Sequence, residues 1–167
     1  MIPVTLMLAV TADGKIAKNN HHFADWTSVE DKQLFRKTAK EFGAFMVGKN
    51  TFDTFPGPLP QRLNVVFSRE TNPEEIEGVK WVNGEPEAVL EDLESMGYKK
   101  VLLAGGANLD SLFLKKKLID EIILTVEPKI FGAGISILQE SQEVDLELQS
   151  LEKINANSFV VRYKVKY

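Results

Sequence analysis

Two short segments of the sequence place glycine and polar residues at the end of an apolar run. They are VGKNTF at 47–52 and LAGGANL at 103–109. Glycine lets a ligand approach the backbone closely, and the free N–H groups at the start of a following helix favour a phosphate. Lys49 adds a cation and Thr51 adds a hydroxyl donor. Together the segments predict a site for an anionic cofactor beyond the carboxyl ends of two strands; for each segment alone, an ordinary strand-to-helix turn is the alternative.

Asp31 is the candidate functional acid. It falls within a predicted helix over 27–42, whose start has the capping-box pattern Thr27-x-x-Glu30. The face of that helix that carries Asp31 also carries Leu34, Phe35, Thr38 and Phe42. An inward carboxylate is costly unless it is paired or has a function, whereas Glu30 and Lys32 are expected to point outward. The alternative is that Asp31 only interacts favourably with the helix dipole. Glu30 would serve that interaction equally well, so the inward position of Asp31 favours a functional role.

Composition argues against several other kinds of site. The chain has 167 residues, no cysteine and a formal net charge of −4, which removes disulfides and thiolate chemistry and disfavours a nucleic-acid partner. The two histidines, His21 and His22, are adjacent, so a metal site is not expected. No segment approaches the ~20 apolar residues of a membrane span, and the N-terminal segment lacks the basic leader of a signal peptide. The lack of cysteine fits a reducing cytoplasm.

Apolar runs alternate with helical patterns along most of the chain. Strands are predicted at Val4–Val10, Ala44–Val47, Leu63–Phe67, Val79–Val82, Val101–Ala104, Ile119–Val126 and Phe159–Val165. Helices are predicted at 27–42, 50–55, 86–96 and 107–116. Nearly continuous apolar runs indicate strands covered on both faces, and the alternating segments 145–154 and 158–167 indicate an antiparallel pair with the last strand at an edge. Residues 1–167 are predicted to form one α/β domain with three layers, α/β/α, and a mixed, mostly parallel central sheet.

Six segments occur in an order and spacing that resembles the dihydrofolate reductase superfamily, which includes the reductase domain of riboflavin biosynthesis. They are TADGKIA, DWTSVEDKQLF, VGKNTF, PLPQRLNVVFSR, LLAGGANL and ILTVEPKIFGAG. In combination they are much more specific than any one of them, and they extend the resemblance over nearly the whole chain. The resemblance implies a dihydrofolate reductase-like fold that binds NADPH across the carboxyl ends of the central strands.

The resemblance also implies which residues hold the cofactor. Lys49 would meet the 2′-phosphate of the adenosine, helped by Ser68 and Arg69 after the third strand. The paired glycines would receive the pyrophosphate and nicotinamide side. The cofactor-binding residues implied in this way are Ala9, Ile16, Gly48, Lys49, Thr51, Ser68, Arg69, Gly105, Gly106 and Ala107.

In dihydrofolate reductases an acid five residues after a tryptophan binds the pterin ring, and Trp26 and Asp31 keep that spacing. The resemblance therefore implies Asp31, Trp26 and Thr125 as catalytic residues. It implies Asp31, Phe35 and Arg62 as substrate-binding residues, with Arg62 pairing with a substrate carboxylate. The implied function is the NADPH-dependent reduction of dihydrofolate or a related pteridine by hydride transfer to a C=N bond.

Other features leave two alternatives open. TADGK and FGAGISIL resemble the riboflavin branch, whose enzyme is 5-amino-6-(5-phosphoribosylamino)uracil reductase, although Met7 and Ala104 stand where that branch usually carries a lysine and a glutamate. The segment from Lys18 to Asp25 departs in length from dihydrofolate reductases and lacks their proline before the tryptophan. A non-catalytic NADPH-binding module is the second alternative. The expected partner is a small molecule, and the resemblance leaves both a monomer and a homodimer open.

Overall fold

The computed structural model describes residues 1–71, 73–140 and 143–167. Its helices are α1 (Val29–Phe42), α2 (Lys49–Phe52), α3 (Pro86–Ser95) and α4 (Ala107–Lys115). Its strands are β1 (Val4–Thr11), β2 (Lys15–Ala17), β3 (Ala44–Gly48), β4 (Leu63–Phe67), β5 (Val79–Val82), β6 (Val101–Leu103), β7 (Glu121–Glu127), β8 (Ile135–Ser136), β9 (Asp145–Lys153) and β10 (Phe159–Lys166). Within the described residues, no helix has the length and apolar character needed to cross a membrane.

Eight of these strands form one sheet in the order β5-β4-β3-β6-β1-β7-β10-β9. The neighbours from β5 to β7 are parallel, and β10 pairs antiparallel with both β7 and β9. This confirms the mixed, mostly parallel sheet with antiparallel C-terminal strands. The prediction that the last strand lies at an edge is wrong, because β10 lies between β7 and β9. The edge strand is β9, which is exposed along nearly its whole length.

Helices cover both faces of the sheet, which confirms the three-layer α/β/α architecture. On one face, Leu6 and Met46 of the sheet pack in a core that also contains Leu90 of α3 and Phe113 of α4. On the other face, a core of sheet and helix residues comprises Met7, Ala39, Phe45, Val47, Phe52, Val66, Leu102, Ile123 and Val160. Because consecutive strand residues point to opposite faces, the continuous apolar runs serve both cores at once.

The start of α1 differs from the predicted capping box. Ser28, not Thr27, is the N-cap, and its hydroxyl accepts the N–H of Asp31 at 3.2 Å. The carbonyl and hydroxyl oxygens of Thr27 instead accept hydrogen bonds from the ammonium group of Lys32, at 2.7 and 3.0 Å. The capping box is wrong because threonine and serine are adjacent at 27 and 28, and either residue suits the N-cap position. The consequence is that Asp31 belongs to the capped first turn.

Ser28→Ala is expected to lower the free energy of unfolding by about 1 kcal/mol, because the N–H of Asp31 loses its acceptor. Urea unfolding at neutral pH measures the loss. The control is Ser95→Ala, since the hydroxyl of Ser95 donates to the carbonyl of Asp92 at an exposed position. Equal stability of the Ser28→Ala variant and the unmodified protein would contradict the cap.

Candidate active site

A large cleft opens at the carboxyl ends of the central strands β4, β3, β6 and β1. Its volume is about 1140 Å³, which exceeds the ~300–1,000 Å³ typical of a site for one small molecule. The four strands are neighbours in the sheet, and this is the edge at which open α/β sheets bind ligands. The cleft therefore has room for two ligands side by side.

The two glycine segments meet in the wall of this cleft. The N–H of Gly48 donates to the carbonyl of Gly105 at 2.9 Å. A Cβ on Gly48 would lie 3.7 Å from the nitrogen of Gly106, and a Cβ on Gly106 would lie only 2.8 Å from Oγ1 of Thr51. Gly105 has a φ of 92°, which glycine adopts without strain. Helices α2 and α4 both begin here without a side-chain cap, so their first N–H groups are available to a ligand.

Charged side chains gather beyond the ends of β3 and β4. The Nζ atom of Lys49 lies 2.7 Å from Oδ2 of Asp53 and 3.5 Å from Oε1 of Glu70. The hydrogen bond to Asp53, followed by the charges of both acids, raises the pKa of Lys49. Ser68 is buried, and its hydroxyl accepts the N–H of Glu70 at 3.1 Å. The residues expected to meet the 2′-phosphate, Lys49, Ser68 and Arg69, all line the cleft.

Asp31 is a buried acid in the cleft wall. It is only 8 % exposed and lines the cleft from the first turn of α1. Desolvation raises its pKa, and the charge of Glu127 adds to the rise. The hydroxyls of Thr125 and Thr27 and the charge of Lys32 oppose it. The carboxyl therefore takes up a proton at higher pH than it would in water.

Most of the predicted site residues belong to this one cleft. Thr125 is instead fully buried in β7, opposite Ala9 of β1, and it reaches Asp31 from behind the wall. Trp26 lies in the wall, with its ring edge-on to Phe131 at a centroid distance of 5.1 Å. The predicted residues that line the cleft are Ala9, Ile16, Trp26, Asp31, Phe35, Gly48, Lys49, Thr51, Ser68, Arg69, Gly105, Gly106 and Ala107.

Arg62 is the predicted substrate-binding residue that the cleft wall does not include. Its guanidinium donates to the carbonyls of Pro60 at 2.9 Å and Arg36 at 2.8 Å. Desolvation, together with the charge of Arg36, lowers the pKa of Arg62. Arg36 itself lines the cleft. The contact of Arg62 with a substrate carboxylate stays a prediction, and the structure adds Arg36 as a second cation on that side.

Lys32 and Arg36 are cations that sequence reasoning missed. The expectation that Lys32 points outward is wrong, since it lines the cleft while its ammonium group bonds to Thr27. A lysine or arginine side chain is long enough to reach round a helix from a position off the inward face, which a count of helical spacing does not capture. No group of three or more histidine, aspartate or glutamate residues that could hold a metal ion occurs in the part of the chain that the structure describes.

Asp110 is a second acid that sequence reasoning missed. It lies in the first turn of α4 with no exposed surface, and a Cβ on Gly105 would lie 3.8 Å from its Oδ2 atom. Neither carboxyl oxygen has a hydrogen-bond partner among the described residues. Desolvation raises the pKa of Asp110 well above its ordinary value. Asp110 is not part of the cleft wall and lies behind the glycine turn.

Comparisons with known proteins identify relatives over almost the whole chain. A family model described as the RibD C-terminal domain matches residues 3–160. The dihydrofolate reductase of Haemophilus influenzae is 32% identical over 166 residues, covering 98% of this chain and 94% of that protein. The 2,5-diamino-6-ribosylamino-4(3H)-pyrimidinone 5′-phosphate reductase of Methanothermobacter thermautotrophicus is 27% identical over 213 residues, covering 98% of each.

A solved structure confirms the predicted dihydrofolate reductase-like fold. It is the dihydrofolate reductase from Enterococcus faecalis complexed with NADP(H) and RAB-propyl. The two chains are 17% identical and superpose with a TM-score of 0.74, over 99% of this chain and 97% of that one.

Gly106→Ala is expected to disturb the glycine turn, because the new Cβ would lie 2.8 Å from Oγ1 of Thr51. We expect a loss of about 1–3 kcal/mol in the free energy of unfolding, as overpacking typically costs. Adding Thr51→Ala removes the clashing oxygen and is expected to restore much of that loss. Urea unfolding of both single variants and the double variant measures the coupling. Additive effects of the two substitutions would contradict the close approach.

Proposed function

The chain belongs to the RibD C-terminal domain family within the dihydrofolate reductase superfamily, and from that premise we propose that it is an NADPH-dependent reductase of dihydrofolate or a related pteridine. Its relatives named above are reductases, which supports the reaction class. The observation that carries the proposal for the substrate is the buried carboxyl of Asp31 in the wall of a two-ligand cleft.

Asp31 and Phe35 give one part of the cleft wall the groups that a pteridine would need. Both lie on α1 and line the cleft. A carboxylate can accept paired, charge-assisted hydrogen bonds from the amidine-like edge of a pterin. An aromatic ring beside it offers apolar surface to the flat heterocycle. This pairing supports a planar substrate with a hydrogen-bonding edge.

The glycine turns fit the phosphate-bearing part of NADPH. A Cβ at Gly106 would fill the space next to Thr51, and α4 begins there without a side-chain cap. Backbone N–H groups at an uncapped helix start suit a pyrophosphate. Lys49, Ser68 and Arg69 would hold the 2′-phosphate side. The complex of the Enterococcus faecalis enzyme with NADP(H) supports this choice of cofactor.

Asp31 would orient the substrate and favour its protonation. NADPH supplies a hydride when it is bound. Reduction of a C=N bond adds the hydride to carbon and a proton to nitrogen, so that one C–H and one N–H bond form as the π bond is lost and a C–N single bond remains. The raised pKa of Asp31 keeps a proton within the carboxyl–pterin pair at a higher pH than a solvated acid would. Water is the proposed carrier of that proton to the reacting nitrogen.

A ribosylamino-pyrimidine phosphate is the second candidate substrate. The family match and the Methanothermobacter thermautotrophicus relative favour it, as do the cations Lys32 and Arg36 in the cleft wall, which a phosphate could meet. In contrast, Met7 and Ala104 line the cleft where the resemblance associates a lysine and a glutamate with this substrate. These two differences favour a pteridine over the pyrimidine phosphate as the substrate.

Loss of NADPH absorbance with the purified protein tests the proposal directly. We expect turnover with dihydrofolate. Turnover with 5-amino-6-(5-phosphoribosylamino)uracil alone would overturn the pteridine assignment and retain the reductase. NADPH binding without turnover of either substrate would contradict the reductase proposal and favour a non-catalytic module.

Asp31→Asn is expected to impair turnover more strongly as the pH rises. At low pH solvent can protonate the substrate, so the variant loses little. At higher pH only the carboxyl of Asp31 retains the proton, and the ratio of wild-type to variant rate is expected to grow by up to tenfold per pH unit until the pKa of Asp31 is passed. Single-turnover rates across the pH range measure this ratio.

Glu30→Gln is the matched control, since Glu30 is the neighbouring acid of the same first turn and bonds to Asn155 at an exposed position. Its rate ratio to wild type should not change with pH. A pH-independent ratio for Asp31→Asn would refute the proposed role of Asp31 in protonation.

A further inference from the structure

The cation that is expected to meet the 2′-phosphate already has two carboxylate partners. Lys49 is 28% exposed, and its Nζ lies 2.7 Å from Asp53, one helical turn further on. Glu70 lies 3.5 Å away, and its side chain comes from the segment after β4. Since β3 and β4 are adjacent parallel strands, the contact between Lys49 and Glu70 joins the two chain segments that leave their carboxyl ends.

Glu70 differs from Asp53 in its position relative to the cleft. Glu70 lines the cleft together with Lys49 and Arg69, whereas Asp53 does not belong to the wall. The N–H of Glu70 donates to the hydroxyl of buried Ser68, which fixes the backbone of residue 70 beside the other predicted phosphate contacts. The carboxylate of Glu70 therefore shares the space into which a 2′-phosphate would be placed.

The charges at this end of the cleft balance one another. Two cations, Lys49 and Arg69, are matched by two carboxylates, Asp53 and Glu70. A phosphate monoester brings a charge of about −1.5 to −2 at neutral pH, and a carboxylate beside it would repel it. A ribose hydroxyl brings no charge and can donate a hydrogen bond to a carboxylate, as it does in sites that prefer NADH.

We infer that Glu70 is a specificity-determining residue that reduces the preference of this protein for NADPH over NADH. The inference rests on the proposed function, because it needs the adenosine end of the cofactor to lie at Lys49. Glu70 acts in two ways: it competes with the 2′-phosphate for the ammonium group of Lys49, and it accepts a hydrogen bond from the ribose of NADH. The wild-type protein binds the two cofactors with affinities within about tenfold of each other, a difference of ~1.4 kcal/mol.

Isothermal titration calorimetry with NADP⁺ and NAD⁺ tests this without turnover. Glu70→Gln keeps the size of the side chain and removes its charge. It is expected to tighten NADP⁺ binding about fivefold, the upper range for an exposed ion pair. It is expected to weaken NAD⁺ binding about twofold, because an amide oxygen is a weaker acceptor for the ribose hydroxyl than a carboxylate. Both titrations should be done at low ionic strength, where surface charges are least screened.

Lys49→Gln tests whether Glu70 acts through the ammonium group of Lys49. This substitution is expected to weaken NADP⁺ binding more than NAD⁺ binding. In the Lys49→Gln background, the gain from Glu70→Gln is expected to fall to about twofold, since no ammonium group remains to be released and only the direct repulsion between Glu70 and the phosphate is removed. A gain that persists at about fivefold in this background would overturn the route through Lys49.

Glu41→Gln is the matched control. Glu41 is 56% exposed and lies 4.0 Å from Lys37, close to the 53% exposure of Glu70, and it does not line the cleft. Equal gains in NADP⁺ affinity from Glu41→Gln and Glu70→Gln, or a wild-type preference for NADP⁺ above about tenfold, would overturn the inference and leave the proposed function intact. If the wild-type protein binds neither nucleotide, the inference and the proposed function both fail.

Discussion

The hydrogen bond from the N–H of Gly48 to the carbonyl of Gly105 is the contact on which the cleft depends. The register pairing of β3 with β6 covers only two residue pairs, Phe45 with Leu102 and Met46 with Leu103. Beyond them, the N–H of Ala104 still donates to Met46, and the 2.9 Å bond to Gly105 extends the contact past the sheet. Because the carboxyl ends of β3 and β6 stay together, α2 and α4 begin side by side, and their N-terminal N–H groups face one cleft. Next to this bond, Gly105 adopts a φ of 92° and a Cβ on Gly106 would lie 2.8 Å from Oγ1 of Thr51, so these two positions favour glycine.

A third buried acid, Glu127, holds the start of the helix that carries Asp31. Glu127 is 2 % exposed and accepts the N–H of Ser28 at 2.7 Å and the hydroxyl of Ser158 at 2.6 Å. It thereby joins the end of β7, the cap of α1 and the start of β10. Desolvation works to raise the pKa of Glu127, but the hydrogen bonds from Ser158 and Ser28 outweigh it and lower the pKa. Glu127 is therefore held as a carboxylate, and its charge contributes to the raised pKa of Asp31.

The sequence was sufficient to predict the structure where a local pattern was compatible with only one arrangement of the chain. Continuous apolar runs predicted strands covered on both faces, and glycine after two such runs predicted that both turns border one site. It was insufficient where neighbouring residues could each form the N-cap, as Thr27 and Ser28 could. It was also insufficient where the direction of a long side chain depends on tertiary packing. The positions of Lys32, Arg36 and Arg62 depend on how the start of α1 and the 56–62 segment pack. β9 is the edge strand because β7 pairs with one side of β10 and β9 pairs with the other. The local sequence pattern does not predict this order.

The two buried aspartates show how the surroundings of a carboxyl decide what it can do. Desolvation raises the pKa of both Asp31 and Asp110. At Asp31 the nearby hydroxyls of Thr125 and Thr27 oppose that rise, and the carboxyl lies in a wall that a ligand can reach. At Asp110 no hydrogen-bond partner occurs among the described residues, so burial favours the neutral form. Position in the cleft wall therefore distinguishes an acid that a substrate can reach from an acid that lies beneath Gly105.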